Sequence, residues 1–264
     1  MPFALRDGAS IHWTSLGRGD PVVLVMGLGC SSALWFRIAP ALARTHRVIL
    51  IDNRGSGQTR APLFVVHRVS AMADDIGAVL DAAGEESAHL IGFSMGGMIS
   101  QQFAVDHPGR VRSMALLGTH CGVPWAIQAE PPVRRLLFEK ARMSPEESLR
   151  AMRPFTYAEQ TPDRLFEEDA VVRLANMPSP RNYQAQLHAL IYWSVYLQLP
   201  RLNQPTLIVH GLQDQLIPPA NGRMLASRLK QVSLVELPAA SHWLMTDCNA
   251  ACLDALGEHL HRHR

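Results

Sequence analysis

Gly92-Phe93-Ser94-Met95-Gly96 is the stretch whose residue types and spacing point most directly to chemistry. A serine hydroxyl is a poor nucleophile at neutral pH. It needs a backbone that presents it and a base that takes its proton. Gly-x-Ser-x-Gly between a strand and a helix does the presenting, because the turn holds the serine in strained geometry with its hydroxyl clear of the sheet. The flanks supply that context. Residues 88–91 form an apolar run with the length of a buried strand, and Met98, Ile99, Gln102 and Phe103 follow at helical spacing up to His107-Pro108-Gly109. Gly92, Gly96 and Gly97 stand where a β-carbon would collide as strand and helix converge. The five-residue pattern alone also fits a solvated turn serine, and the flanking elements are what argue for a nucleophile.

A base and a carboxylate to orient it follow from order along the chain. Asp214 lies just past a strand expected at 205–211, and His242 just past another at 233–237. In an open parallel sheet the loops after successive strands converge at the carboxyl edge, so Ser94, Asp214 and His242 can meet although far apart in sequence. Each is weak by itself. His242 is one of 12 histidines, Asp214 alone fits a turn or helix cap, and Asp247 is a rival carboxylate. Together they suit nucleophilic acyl transfer.

The elements that must position these groups read as α/β. Strands are expected at 11–16, 22–26, 48–51, 88–91, 111–117, 205–211 and 233–237. Helices are expected at 33–43, from Ser70 to Gly84, after Ser94, and at 249–259. Alternation of this kind implies a mainly parallel, doubly wound sheet with right-handed crossovers. Between 121 and 202 the alternation gives way to nine prolines and helical patterns, clearest at 133–143 and 183–197. The chain is therefore expected to divide into a core, 1–120 with 203–264, and a helical cap inserted between two strands, 121–202. Of the aromatics, Trp125, Tyr157, Tyr192 and Trp193 in the cap and Trp243 beside His242 are expected to bind substrate. The plainer reading of any one of the cap aromatics is that it packs helices together.

Composition bounds the function. With 47% hydrophobic and 18% charged residues among 264, the chain can bury a sizeable core. A net charge of +2 gives no electrostatic case for nucleic acid or an anionic membrane. Arginine far outnumbers lysine, which occurs only at 140 and 230. No run approaches the ~18 apolar residues that span a bilayer. The start, Met1-Pro2-Phe3-Ala4-Leu5-Arg6-Asp7, lacks a basic region followed by an apolar one, so a cytoplasmic protein is expected. Cys30, Cys121, Cys248 and Cys252 read as reduced thiols. Cys248 and Cys252 have no second ligand pair for zinc, and the histidine-rich tail reads as a helix end. The expected partner is a small-molecule substrate, with no cofactor and no metal, for a monomer or homodimer.

Four motifs occur in order: Asp52-Asn53-Arg54-Gly55-Ser56-Gly57, Gly92-Phe93-Ser94-Met95-Gly96-Gly97, the Asp214 loop and Ser241-His242. On them the chain resembles the α/β-hydrolase fold family over nearly its whole length outside the cap. Gly96 to Gln101 and Leu116-Leu117-Gly118-Thr119 look most like esterases of the 3-oxoadipate enol-lactonase type. The resemblance implies Ser94 as nucleophile, His242 as general base and then acid, and Asp214 as the group fixing the imidazole tautomer. It implies an oxyanion hole from the backbone N–H groups of Leu28 and Met95, although the family's usual His-Gly-x is Met26-Gly27-Leu28 here. Arg54 is expected to tie loops together. Serine at 94 argues against haloalkane dehalogenases and epoxide hydrolases, which use aspartate. Hydrolysis of a small or medium ester or lactone leads. Cofactor-free perhydrolases (haloperoxidases) carry a tryptophan where Leu28 stands, and C–C bond hydrolases usually carry asparagine at Phe93. A ligand receptor retaining the triad is the reading from another class.

Overall fold

Val22, Val23, Leu24 and Val25 are all fully buried, which requires a strand covered on both faces. The computed structural model, which describes residues 2–62 and 67–264, contains an eight-stranded sheet. Its strands are β1 (Phe3–Arg6), β2 (Ala9–Leu16), β3 (Pro21–Val25), β4 (Arg47–Ile51), β5 (Ala88–Phe93), β6 (Val111–Leu117), β7 (Thr206–Gly211) and β8 (Val232–Leu237). They lie in the order β1-β2-β4-β3-β5-β6-β7-β8. β1 and β2 pair antiparallel, as do β2 and β4, and every pairing from β4 to β8 is parallel. β1, at the edge, had no counterpart among the expected strands, since its Phe3 and Leu5 are exposed rather than part of a buried run.

Alternate residues of each strand feed opposite faces. On one face Val23, Val25, Leu90, Leu116 and Ile208 pack under α2 (Val69–Ala83) and α3 (Met95–Asp106). On the other Val22, Leu24, Ile91, Leu117 and Val209 pack under α1 (Ala39–Leu42) and the C-terminal helix. Each such side chain, fully buried, contributes about 1.5–3 kcal/mol relative to exposure. β4 lies on one side of β3 and β5 on the other, so strand order reverses there and a crevice opens at the carboxyl ends.

Helices α4 (Pro131–Glu139), α5 (Pro145–Thr156), α6 (Asp163–Ala175) and α7 (Pro180–Leu190) fall between β6 and β7, and α8 (Ala220–Arg228), α9 (Leu244–Asp247) and α10 (Asn249–Arg262) follow. Three helical expectations change. The helix expected at 33–43 is a 3-10 turn, Ser32–Arg37, followed by α1. Pro40 cannot donate to Phe36 and its ring crowds that carbonyl, so no continuous helix passes through. The helix expected at 183–197 starts at Pro180, where the Ser179 side chain accepts from the Asn182 N–H, and ends at Leu190. Residues beyond it pair instead with the loop after β6: the Val195 N–H donates to Cys121 O and the Val123 N–H to Trp193 O. Finally, α5 and α6 were not separately expected, although Ser144 and Glu147 form a capping box that opens α5. Among the described residues no helix is long and apolar enough to cross a membrane.

Arg54, after β4, is buried with its guanidinium against Asp75 of α2, Nε and Nη2 donating to the two carboxylate oxygens at 2.6 and 2.8 Å. A buried pair of this kind adds little over an apolar replacement, but removing one partner strands the other charge. Arg54→Met is therefore expected to lower the unfolding free energy by about 3–5 kcal/mol. Arg54→Met with Asp75→Leu should recover most of that loss. Urea denaturation of the two variants beside the parent protein measures both.

Candidate active site

Ser94 joins β5 to α3 at φ 54°, ψ −120°, a region unfavourable for any residue with a β-carbon. The surrounding backbone enforces it. The Ser94 N–H donates to Leu117 O at 2.8 Å, and Ser94 O accepts from Thr119 Oγ1 at 2.7 Å and from the Gly97 N–H at 2.9 Å. A β-carbon on Gly96 would stand 1.9 Å from Val25 O, so only glycine lets α3 start this close to β3. On the other side the turn after β3 presses against the serine, with a β-carbon on Gly27 falling 3.1 Å from Ser94 Cβ.

The loops after β5, β7 and β8 bring the three expected groups together. His242 Nε2 lies 3.1 Å from Ser94 Oγ, and His242 Nδ1 lies 2.7 Å from Asp214 Oδ2. The other carboxylate oxygen accepts the Leu216 and Ile217 N–H groups at 2.9 and 2.8 Å. An ionised carboxylate only accepts, so the imidazole proton sits on Nδ1 and the Nε2 lone pair faces the serine hydroxyl. That is the tautomer of a base. Phe93 packs 4.9 Å from the imidazole and limits its rotation. His210 also nears Asp214, but its Nε2–H donates to Ile217 O at 2.8 Å and burial lowers its pKa, so it stays neutral. The rival Asp247 accepts from the Ser241 N–H and the Thr161 hydroxyl instead of from His242.

Leu28, in the turn after β3, lines the same cavity as Ser94, and Met95 follows Ser94 and opens α3. Met95 is the first helical residue, so its N–H has no carbonyl one turn back. Among the described residues neither backbone N–H is spent on a protein acceptor. The turn carrying Leu28 is tied down elsewhere. Gln186 of α7, wholly buried, accepts from the Gly29 N–H at 2.8 Å and donates to Arg54 O and Ser56 Oγ. Asn53 donates to Met26 O at 2.8 Å.

Above Ser94 is a cavity of about 140 Å³, walled by Leu28, His242 and Trp243 from the sheet edge and by Leu137, Met152 and Leu187 from the inserted helices. Of the five aromatics expected to bind substrate, Trp243 reaches this cavity and four do not. Trp125 stacks on Tyr196 at 4.5 Å near the surface. Tyr157 is buried with its hydroxyl donating to Asp169 at 3.0 Å, beside a separate cleft. Tyr192 is 94% exposed, and Trp193 donates Nε1–H to Gln102 at 2.8 Å. Except for Tyr192, these rings pack the insertion together or hold it to the sheet helices, so they do not face the cavity.

The cavity wall also holds residues that sequence reasoning missed: His120, Arg134, Lys140 and Arg173. His120 follows β6 as Asp214 follows β7, so the loop argument applied to it equally. Its Nδ1 accepts the Gly122 N–H at 3.0 Å, which leaves the proton on Nε2, and burial lowers its pKa to about 4. The three cations gave no local signal, because their helices meet the sheet edge only in the folded chain. Among the described residues no cluster of three or more His, Cys, Asp or Glu could hold a metal.

A family profile described as the alpha/beta hydrolase fold matches residues 20–247. The chain belongs to the α/β-hydrolase fold family. Among this family's curated members, a Variovorax paradoxus protein provisionally named carbamate hydrolase RutD is 30% identical over 85% of this chain and 85% of its own. A protein of the same name from Azorhizobium caulinodans is 29% identical over 92% and 91%. The sheet and helices superimpose on an esterase from Thermogutta terrifontis, 25% identical, with a TM-score of 0.85 over 100% of this chain and 98% of the other. They also superimpose on the enol-lactonase of Burkholderia xenovorans LB400, 24% identical, with a TM-score of 0.86 over 98% and 100%. The latter likeness is one of fold.

Burial lowers the pKa of His89 and His259, like that of His120, to about 4. An unfolded histidine titrates near ~6.5. Between about pH 6.5 and about pH 4 the unfolded chain binds protons that the native one refuses, so stability is full above this window and falls as pH drops through it. Urea unfolding at about pH 7, 6 and 5 is expected to give a declining free energy. His89→Asn, which keeps a polar atom near Ser113, should flatten that slope; an unchanged slope would contradict the assignment.

Proposed function

We propose that the protein hydrolyses a small or medium carboxylic ester or lactone in two steps through an acyl-enzyme on Ser94. The observation carrying this reading is the hydrogen-bonded chain from Ser94 Oγ to His242 Nε2 at 3.1 Å and from His242 Nδ1 to Asp214 at 2.7 Å, at the floor of a cavity between the sheet edge and the inserted helices. Ser94 Oγ attacks the carbonyl carbon as Nε2 takes its proton, and Asp214 stabilises the imidazolium that results. Charge collects on the former carbonyl oxygen, where the Leu28 and Met95 N–H groups and the N-terminus of α3 favour it. The tetrahedral intermediate collapses, the alkoxide leaves with the proton from Nε2, and the acyl group remains on Ser94. Water then enters, gives a proton to Nε2 and releases the acid by the reverse sequence. In this reading residues 121–202 act as the cap that sets the acyl and leaving groups.

A second reading, hydrolysis of a carbamate, is favoured by the names of the curated relatives. It uses the same groups on a carbonyl flanked by nitrogen, through a carbamoyl-enzyme. Turnover of an aryl carbamate faster than that of the matching aryl ester would favour it over the first.

Stopped-flow mixing with p-nitrophenyl acetate is expected to give a burst of nitrophenol stoichiometric with protein. Ser94→Ala should abolish the burst and lower kcat by roughly 10⁶-fold, and Asp214→Asn by roughly 10⁴-fold through loss of the base tautomer. No burst and no Ser94-dependent turnover with any short acyl ester would reject the reading.

A further inference from the structure

His120 enters the cavity wall from the loop after β6 and takes no part in the hydrogen-bonded chain from Ser94 to Asp214. Backbone and ring are both fixed. The His120 carbonyl accepts from Gln101 Nε2 of α3 at 3.1 Å, and its Nδ1 accepts the Gly122 N–H at 3.0 Å. A ring nitrogen that accepts is unprotonated, so Nε2 carries the proton of the neutral imidazole. Burial, with His210 and His242 nearby, lowers the pKa to about 4, and the ring keeps that form at neutral pH.

Among the described residues the Nε2–H of His120 has no acceptor. In His12, His89 and His259 an unpartnered Nε2 is sealed inside the protein, whereas His120 is only partly buried and borders the cavity. The adjoining wall offers it nothing. Met98, Ile127, Leu216 and Ile217 are apolar, and Gln128 donates its own N–H to Ala126 O at 3.0 Å. A donor left in this position is satisfied only by what enters the cavity.

Strand order decides which part of a substrate meets it. β3, β5 and β6 are consecutive in the sheet, so Ser94, after β5, lies between the Leu28 turn and the His120 loop. The carbonyl oxygen belongs to the Leu28 side, where the oxyanion donors are. His242 arrives on the other flank: a β-carbon on Gly118, two residues before His120, would stand 3.4 Å from His242 Nδ1 and 3.6 Å from Asp214 Oδ2. His242 Nε2 must hand its proton to the departing oxygen, so the leaving group lies on that flank too.

We infer that His120 Nε2–H donates a hydrogen bond to an oxygen in the alcohol part of the substrate, beyond the scissile oxygen. This inference rests on the reading of Ser94 as nucleophile and narrows its substrates to esters or lactones whose leaving group carries a second oxygen acceptor. A hydrocarbon leaving group displaces water from the N–H without replacing the bond. A site built around a donor rejects such a group more strongly than the bond itself is worth.

Butyrate esters of matched alcohols test this: n-butyl against 2-methoxyethyl, and n-pentyl against 3-methoxypropyl. Within each pair one methylene is replaced by oxygen. In at least one pair the ratio of kcat/KM, ether ester over hydrocarbon ester, is expected to be about tenfold higher in the parent protein than in His120→Leu. His120→Gln, whose amide keeps an N–H at similar reach, should restore most of that ratio. Because each ratio is taken within one protein, a general loss of activity on substitution cancels. Methyl pentanoate and methyl 3-methoxypropanoate, matched in the acyl part, should give a ratio independent of residue 120. Equal ratios in the parent protein and His120→Leu for both alcohol pairs would overturn the inference, and so would a ratio that moves only with the acyl pair. Should the parent protein give no burst, calorimetric titration of Ser94→Ala protein takes the same ratios from dissociation constants. An ether preference lost with His120→Leu would then leave the donor site standing without the acyl-enzyme, and equal ratios would remove it.

Discussion

The site depends on one close approach. α3 begins so near β3 that a β-carbon at position 96 would stand 1.9 Å from the Val25 carbonyl. Because the helix cannot retreat without breaking the Ser94 bonds to Leu117 and Thr119, the chain between β5 and α3 turns within one residue. Ser94 bears the strain as a positive φ. The same proximity sets the turn after β3 against the serine, so the hydroxyl and the free N–H groups of Leu28 and Met95 share one small region. Position here follows from packing of backbone on backbone, which is stiffer than any side-chain arrangement.

Around that point the loops at the carboxyl edge are tied to one another by buried polar groups. Asp52 accepts from the Ser32 and Gln58 N–H groups and pairs with His12 at 2.8 Å, joining the loop after β4 to β2 and to the turn after β3. Gln186 does the same between the inserted helices and two of those loops. Each such group satisfies backbone atoms that no strand or helix can reach, so the cost of burying it is offset where it sits. The insertion is thereby joined to the sheet edge by hydrogen bonds as well as by apolar contact, and the cavity lies between them.

Electrostatics divides the molecule in two. In the sheet and its flanking helices buried charge is matched internally, as in Arg54 with Asp75 and Arg37 with Asp169. The cavity wall holds three cations that are not buried, Arg134 exposed and Lys140 and Arg173 half-buried, and no carboxylate lines it. Histidines show the same contrast. His242 has a carboxylate partner, whereas His89 and His259 are buried without one and stay neutral.

By itself the sequence determined the sheet apart from its edge strand β1, the elbow and the residues that meet at it. Strand burial, helix periodicity and the glycines around Ser94 are local signals. The rule that loops after parallel strands converge turns chain order into proximity, which made Asp214 and His242 legible from a distance of many residues. Tertiary structure decided the rest. Whether Trp125, Tyr157, Tyr192 and Trp193 face a cavity depends on how helices joined by proline-rich turns pack on one another, and three of these rings are used for packing while Tyr192 lies in solvent. The end of α7 at Leu190 was likewise set by pairing with Val123 and Cys121, partners remote in the chain. Arg134, Lys140 and Arg173 carry no motif and come from separate helical segments. They line one cavity only once those segments rest on the sheet edge, because a shared wall belongs to the folded arrangement and not to any stretch of chain.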